Sequence, residues 1–209
     1  MLYRLIDLFN GAVVPLLAVL LYCCAVKKAG FGRTARIVLF TLYLAGVFDL
    51  VGIPYARTAA WNPILNPIPF SDLFREDFSF WSIFQFAANI ALFVPFGIFL
   101  PWIWKSFRRL LPTLLAGALL SCCIEFAQLF SARVSAVDDL LMNAAGTLIG
   151  YLLIAVLSKR RWKTEDAETK ATERRERIEL VTVTCLVLLS TLFVKYTIGE
   201  LVYGLPLFQ

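Results

Sequence analysis

Hydrophobic residues fill six long runs that are separated by short polar segments. The runs cover residues 8–26, 37–56, 78–104, 110–130, 140–157 and 178–197. Each run is close to the length of about 20 residues that an α-helix needs to cross the hydrocarbon core of a membrane. The pattern therefore predicts an all-α fold, a polytopic bundle of six transmembrane helices.

Composition agrees with a membrane protein and excludes some kinds of site. The chain is 60% hydrophobic and 17% charged, whereas a soluble domain is about 25% charged. Histidine is absent, and the five cysteines lie inside apolar runs without metal-ligand spacing. This argues against a zinc site and against a histidine-based triad, so we expect no metal and no cofactor.

The basic residues are distributed unevenly between alternate loops. Fifteen of the 20 lysines and arginines follow the first, third and fifth runs, and five lie on the opposite side. Because cytoplasmic loops are enriched in basic residues, this pattern predicts that both termini lie outside. We therefore expect a protein that crosses a membrane several times.

The predicted spans divide the chain into four parts. Residues 1–36 hold the first helix and a basic loop, 37–157 the membrane core, 158–177 a second basic loop, and 178–209 the sixth helix with an outer tail. The loop 158–177 has three interpretations: a solvated loop that sets topology, an extension of helix six, or a binding site for anionic lipid headgroups. Nucleic-acid binding is not expected, because the loop has a single tryptophan and no recognisable module.

The outer loop 57–77 differs from the others in its chemistry. Prolines at 63, 67 and 69 restrict its backbone, and it contains Trp61, Phe70 and Phe74. Aromatic side chains favour the headgroup region of a membrane. We expect this loop to form a structured cap on the outer surface, with a plain connector as the alternative.

Glu125 is the one charge inside the fourth run. A carboxylate at the centre of a membrane helix costs roughly 2.5–3.5 kcal/mol on insertion scales, so it normally has a partner or faces a wet cavity. Gln128 shares its helix face, and Asp139 and Asn143 share a face of helix five. The connection between these helices is short, which favours antiparallel neighbours whose polar faces meet. Arg133 in that connection can reach either acid.

The third and fifth helices add further candidate features. Asn89, Phe93 and Gly97 share one face, and Pro95 removes a backbone donor inside the run. We expect a kink at Pro95 that opens a polar pocket between helices three, four and five. On helix five, Gly146 and the glycine four residues later form a small-residue face that permits close helix contact.

Two roles remain open for these polar residues. They form either a functional site, which is the usual role of ionisable groups in a membrane, or a purely structural lock of helix packing. Asp49, inside the second run and about seven residues from its outer end, either joins the same site or extends toward the outer surface.

Four segments of the chain resemble the VanZ-like family of small bacterial membrane proteins. They are 66–70 (NPIPF), 89–97 (NIALFVPFG), 125–130 (EFAQLF) and 133–146 (RVSAVDDLLMNAAG). The resemblance covers about residues 40–157, and Ala136 stands where relatives often carry an acid. It implies a role in the cell envelope and in antibiotic resistance, because the founding member lowers susceptibility to the lipid-tailed glycopeptide teicoplanin. The candidate ligand-binding residues that it implies are Asn89, Glu125, Gln128, Arg133, Asp139 and Asn143.

Three functions compete on these observations. In the first, an outer-leaflet polar pocket binds a lipid headgroup or an amphiphile, with membrane lipids and a lipoglycopeptide antibiotic as candidate partners. In the second, the protein is an intramembrane enzyme on a lipid-linked substrate, with Glu125 as general acid or base. The third, a transporter, ranks last because the two halves of the chain show no internal repeat.

Overall fold

The computed structural model describes residues 2–26, 30–53, 61, 64–66, 80–130, 134–162 and 170–194. Six long α-helices run through these ranges: α1 (Leu2–Leu21), α2 (Phe31–Leu50), α3 (Phe80–Ile103), α4 (Leu110–Gln128), α5 (Val137–Trp162) and α6 (Lys170–Leu189). Short π-helical segments continue α1 over Tyr22–Val26 and α6 over Ser190–Val194. A 3-10 turn, Lys105–Phe107, and two three-residue strands, β1 (Ile64–Asn66) and β2 (Val134–Ala136), complete the secondary structure of these ranges.

The prediction of an all-α membrane bundle is confirmed. Within the described ranges, five stretches are long and apolar enough to cross a membrane: Phe31–Leu50, Ile83–Ile103, Leu110–Gln128, Val137–Ser158 and Lys170–Val194. In α1 the apolar stretch among the described side chains is Gly11–Cys24, which is shorter. The orientation of the termini stays a prediction.

The chain divides into two compact units. The first unit comprises Met1–Ala60 and Arg177–Gln209, and the second comprises Trp61–Glu176, so the boundary falls inside α6. In the first unit, α1 packs against α2 and against the π-helical end of α6, where the Ser190 hydroxyl donates to the Gly11 carbonyl at 2.8 Å. An ion pair also joins α2 to α6 in this unit.

That ion pair is formed by Arg33 and Glu179, whose Nη2 and Oε2 atoms lie 2.6 Å apart. The Glu179 side chain is 2% exposed and the Arg33 side chain 27%. A carboxylate buried this deeply needs a cation close by, because isolated charges are strongly disfavoured in a low-dielectric interior. The pair therefore fixes which face of α6 meets α2.

The predicted limits of the second helix were wrong at both ends. The expected span was 37–56, but α2 covers Phe31–Leu50. At its end, Gly52 takes a left-handed φ of 66°, its N–H donates to the Asp49 carbonyl at 3.2 Å, and the Ile53 N–H donates to the Phe48 carbonyl at 3.2 Å. These two bonds form a Schellman motif, which stops the helix at a glycine. Asp49 consequently lies one residue from the helix end, not seven.

Basic residues lie within helices more often than the sequence predicted. Arg33 and Arg36 belong to the first turns of α2, because Gly30 precedes the helix and nothing after it interrupts the backbone bonds. Likewise α5 continues to Trp162 and α6 already begins at Lys170. Of the three interpretations of residues 158–177, the extension of helix six agrees with this arrangement.

In the second unit, α3 and α5 pack with their backbones in contact. A β-carbon placed on Gly146 would overlap the carbonyl of Ile90, and one placed on Gly150 would overlap the carbonyl of Val94. The partners advance in step, so the two helices are parallel. On the α3 side, Gly97 lies equally close to the backbone of Thr147. The predicted small-residue face therefore exists, and its partner is α3.

Helix α4 packs against α5 in the opposite direction. Ser121 meets Asn143, while Gly117, one turn earlier on α4, meets the side chain of Thr147, one turn later on α5. This agrees with the antiparallel pairing that the short connection predicted. Helices α3, α4 and α5 thus form one three-helix bundle whose two ends differ in chemistry.

Candidate functional site

One end of this bundle is rich in carboxyl and amide groups. It combines the start of α3, the end of α4 and the start of α5. We call the group the acid–amide cluster; its members are Asn89, Ser121, Glu125, Gln128, Asp138, Asp139 and Asn143. Asp138, Gln128 and Asn143 are 3%, 6% and 4% exposed, so most of the polarity is inside the protein and must be satisfied there.

Asn89 and Asp139 join α3 to α5. The Asn89 side-chain amide donates a hydrogen bond to the Asp139 carboxylate. Asp139 lies in the first turn of α5. Asp138 lies beside it in that turn and is buried. Acids are favoured at this position because the first turn of a helix carries a partial positive charge. Among the described residues, no three acidic, cysteine or histidine side chains are grouped as a metal site would need.

Glu125 joins the end of α4 to the start of α5. Its Oε2 atom accepts a hydrogen bond from the backbone N–H of Ala136 at 3.2 Å. Ala136 is the last residue of β2 and directly precedes α5. The half-buried carboxylate therefore faces protein, as the cost of a charge inside a membrane helix requires.

Asn143 lies deeper in the bundle and bonds to α4. Its Nδ2 donates to the Ser121 hydroxyl at 2.8 Å, and its backbone carbonyl accepts from the Thr147 hydroxyl at 2.9 Å. Its side-chain Oδ1 is buried and accepts no hydrogen bond from the described part of the chain. A buried acceptor of this kind normally receives a donor from water or from a ligand.

The described candidates lie at one end of the bundle, and their role in ligand binding stays a prediction. Asn89, Glu125, Gln128, Asp139 and Asn143 all belong to this end of the bundle. The sixth candidate, Arg133, lies outside the described residues. The structure thus brings together acid and amide groups from three helices, whereas the predicted pairing of an acid with Arg133 stays a prediction.

Aromatic side chains lie next to the acid–amide cluster. Trp61 makes an edge-to-face contact with Phe130, with ring centroids 5.2 Å apart, and Phe126 contacts Phe130 at 5.6 Å. Trp61 and Phe126 are each 62% exposed. We call these three residues the aromatic group. It gives the polar end of the bundle an exposed apolar neighbour.

Residues of the outer loop take part in this end. Strand β1 pairs in parallel with β2, so that Asn66 lies opposite Ala136. The strand pair connects the loop to the segment that Glu125 holds. Of the predicted cap over residues 57–77, Trp61 and Ile64–Asn66 are described. Trp61 contacts Phe130 and Ile64–Asn66 pairs with β2, and the rest of the loop lies outside the described residues.

Sequence reasoning missed Ser121 and Thr147. Both are fully buried, and both lie within the hydrophobic runs 110–130 and 140–157. A signal was present, since Ser121 stands four residues before Glu125 and Thr147 four residues after Asn143, each on the same helix face. The sequence predicts a polar pocket at Pro95, but the residues around it are tightly packed. Phe93 is fully buried, and Gly97 packs on α5 with no space between the backbones.

Comparison with known proteins settles the family. A family model described as VanZ/LLP1 matches residues 40–158, which is more than half of the chain. The chain belongs to the VanZ/LLP1 family. No curated protein and no solved structure matches it significantly.

The family region contains the whole acid–amide cluster. It begins within α2 and ends near the end of α5, so α1 and α6 lie outside it. This confirms the resemblance seen in the sequence motifs. The protein is therefore a multi-pass, helical membrane protein of VanZ type, in which a shared bundle is extended at both ends of the chain.

Proposed function

We propose that this VanZ-family protein binds the polar end of a lipid or of another amphiphile at the acid–amide cluster. The site would lie in the outer leaflet of a bacterial plasma membrane, and its role would be in the cell envelope and in tolerance of teicoplanin. The observation that supports this most directly is the Asn143 Oδ1 atom, a buried acceptor in a polar group enclosed by apolar helices. A hydroxyl or amide of the ligand would supply the donor.

The aromatic group supports an amphiphilic ligand in particular. Trp61 and Phe126 expose apolar surface beside the polar cluster. An acyl chain would contact these rings while its headgroup reached the carboxyl and amide groups. Tryptophan suits this position because its ring is amphipathic and favours the membrane interface.

Arg133 is the residue proposed to bind the charged part of the ligand. It stands in the sequence between α4 and β2. A guanidinium group presents a planar set of donors that matches phosphate or carboxylate. Charge-assisted hydrogen bonds of this type contribute about 1.5–3 kcal/mol.

Direct binding tests the proposal. The full chain in mild detergent would be titrated with fluorescent teicoplanin, and a glycopeptide without a lipid tail would serve as the control ligand. We expect teicoplanin to bind and the control ligand not to bind. Arg133→Ala should weaken the binding of teicoplanin roughly tenfold or more, because one charge-assisted hydrogen bond is lost. Arg57→Ala removes the same charge from the outer loop and should change little. Unchanged affinity in Arg133→Ala would reject the proposal.

The half-buried Glu125 favours a second candidate, catalysis on a lipid-linked substrate. A carboxyl group held at the edge of a membrane helix can act as general acid or base. Glu125→Gln separates the two functions, because the amide oxygen can still accept from Ala136 N–H but the side chain cannot exchange a proton. Catalysis predicts loss of teicoplanin tolerance in this variant, whereas binding predicts that most tolerance remains. Glu125→Ala, which also loses the hydrogen bond, measures the structural part.

A further inference from the structure

The opposite end of the α3–α4–α5 bundle exposes a group of basic residues. A 3-10 turn, Lys105–Phe107, connects α3 to α4 there, and the first turns of α6 lie in the same unit. We call this group the basic end; its members are Lys105, Arg108, Arg109, Lys170, Arg174 and Arg175. All are exposed except Arg108, which is half-buried.

Glu176 holds the first turns of α6 on the turn between α3 and α4. Its Oε2 atom accepts two hydrogen bonds from Ser106, one from the backbone N–H and one from the hydroxyl, each at 2.8 Å. Ser106 and Glu176 are 6% and 7% exposed. A buried carboxylate with two donors is a firm attachment, because hydrogen bonds to charged groups are stronger than neutral ones. It brings the cations of α6 close to those of the turn.

The position of this end fits a membrane surface. The turn lies where the span-length stretches Ile83–Ile103 and Leu110–Gln128 meet. The Arg108 guanidinium lies over the ring of Trp162 at 5.7 Å, and the Tyr151 hydroxyl donates to the Arg108 carbonyl at 2.9 Å. Tryptophan and tyrosine beside basic residues are typical of the headgroup region.

We infer that the basic end binds the phosphate groups of anionic phospholipids, and that Glu176 is the residue that positions the first turns of α6 for this contact. Basic residues at a membrane surface are attracted to anionic lipid, each strengthening binding about fivefold. The expected ligand is the headgroup of a membrane lipid with net negative charge. This surface lies at the other end of the bundle from the acid–amide cluster, so the inference does not depend on the function proposed there.

Lipid selectivity measures this contact. The full chain in detergent would be mixed with equal amounts of phosphatidylglycerol and phosphatidylcholine of identical acyl chains, and the retained lipids would be quantified by mass spectrometry. We expect several-fold preference for phosphatidylglycerol, which weakens as salt rises. Arg174→Gln with Arg175→Gln should remove most of the preference. Arg57→Gln, which removes a charge predicted to lie on the opposite side of the membrane, should leave it unchanged.

Glu176→Ala separates positioning from net charge. The variant gains positive charge, so attraction by charge alone predicts a stronger preference for phosphatidylglycerol. Positioning predicts a weaker one, since α6 loses its attachment to Ser106. Ser106→Ala keeps the hydrogen bond from the backbone N–H and should reduce the lipid preference by a smaller amount. It replaces Glu176→Ala in this test if that variant does not fold.

Several outcomes would overturn the inference. They are equal retention of the two lipids by the wild-type protein, an unchanged preference in the double glutamine variant, and a raised preference in Glu176→Ala. The charge-conserving pair Arg174→Lys and Arg175→Lys should retain most of the preference. Its loss would contradict recognition by charge.

Discussion

Gly146 of α5 lies directly against the carbonyl of Ile90 on α3, with no room for a side chain between the two backbones. A β-carbon at Gly146 would also stand 3.0 Å from the Phe93 Cβ, closer than ordinary van der Waals contact. Small residues of this kind let membrane helices approach until dispersion forces become large. The contact fixes the relative position of the two helices that carry Asn89 and Asp139.

Gly146→Ala should therefore destabilise the second unit. Adding a methyl group to a packed contact costs roughly 1–3 kcal/mol, because helices must separate to accept it. Gly46→Ala is the matched control, since a β-carbon at Gly46 in α2 meets nothing within 4 Å. That control should be neutral or stabilising by up to about 1 kcal/mol, the propensity gain of alanine in a helix. Thermal unfolding in detergent compares them, and equal midpoints would contradict the packing argument.

The sequence predicts which segments form helices better than it predicts which helices pack against each other. Apolar runs near 20 residues indicate spans directly, because membrane thickness sets their length. The run pattern does not say which helices touch. Gly146 and Gly97 were both identified as positions on helix faces, but loop length predicts contacts between consecutive helices only, whereas α3 and α5 are separated by α4.

Helix ends were harder to predict for a different reason. Hydropathy marks where a chain leaves the hydrocarbon, but backbone hydrogen bonds continue until something stops them. Arg33 and Lys170 are polar, yet each lies in the first turn of a helix. Glu176 illustrates the consequence, since an acid predicted to lie in the loop 158–177 is buried on α6 and accepts two hydrogen bonds from Ser106.

A double-mutant cycle should detect coupling between Asn89 and Asp139. The amide donates to the carboxylate across the α3–α5 contact. Polar pairs in membrane proteins average about 0.6 kcal/mol and reach about 1.7, and a charged acceptor favours the upper part of that range. We expect a coupling energy near 1–1.7 kcal/mol for Asn89→Ala with Asp139→Ala.

Asp139→Asn serves as the control for this cycle. The asparagine oxygen can still accept from Asn89, so this variant should retain part of the coupling. The free energies of unfolding of the single and double variants supply the measurement. Strictly additive losses would show that the two side chains do not interact.

Arg33→Ala should destabilise the first unit by leaving the Glu179 carboxylate buried without its cation. Breaking a buried ion pair costs about 3–5 kcal/mol, and we expect about 2–3 here because Arg33 is partly solvated. Replacing both residues by leucine should recover most of that loss, because neither charge then remains. Unfolding of the two variants gives the comparison, and a double variant as unstable as Arg33→Ala would argue against an uncompensated charge as the cause.

The Schellman end of α2 predicts a graded response at Gly52. Its φ of 66° is available to glycine without cost and is disfavoured for residues that carry a β-carbon. Gly52→Ala should lower the free energy of unfolding by about 1–2 kcal/mol, and Gly52→Asn by less, because asparagine tolerates the left-handed conformation. Thermal midpoints should fall in the order glycine, asparagine, alanine. Gly46→Ala again controls for the added methyl group. If Gly52→Ala is as stable as the wild type, α2 does not need a left-handed residue at this position to end.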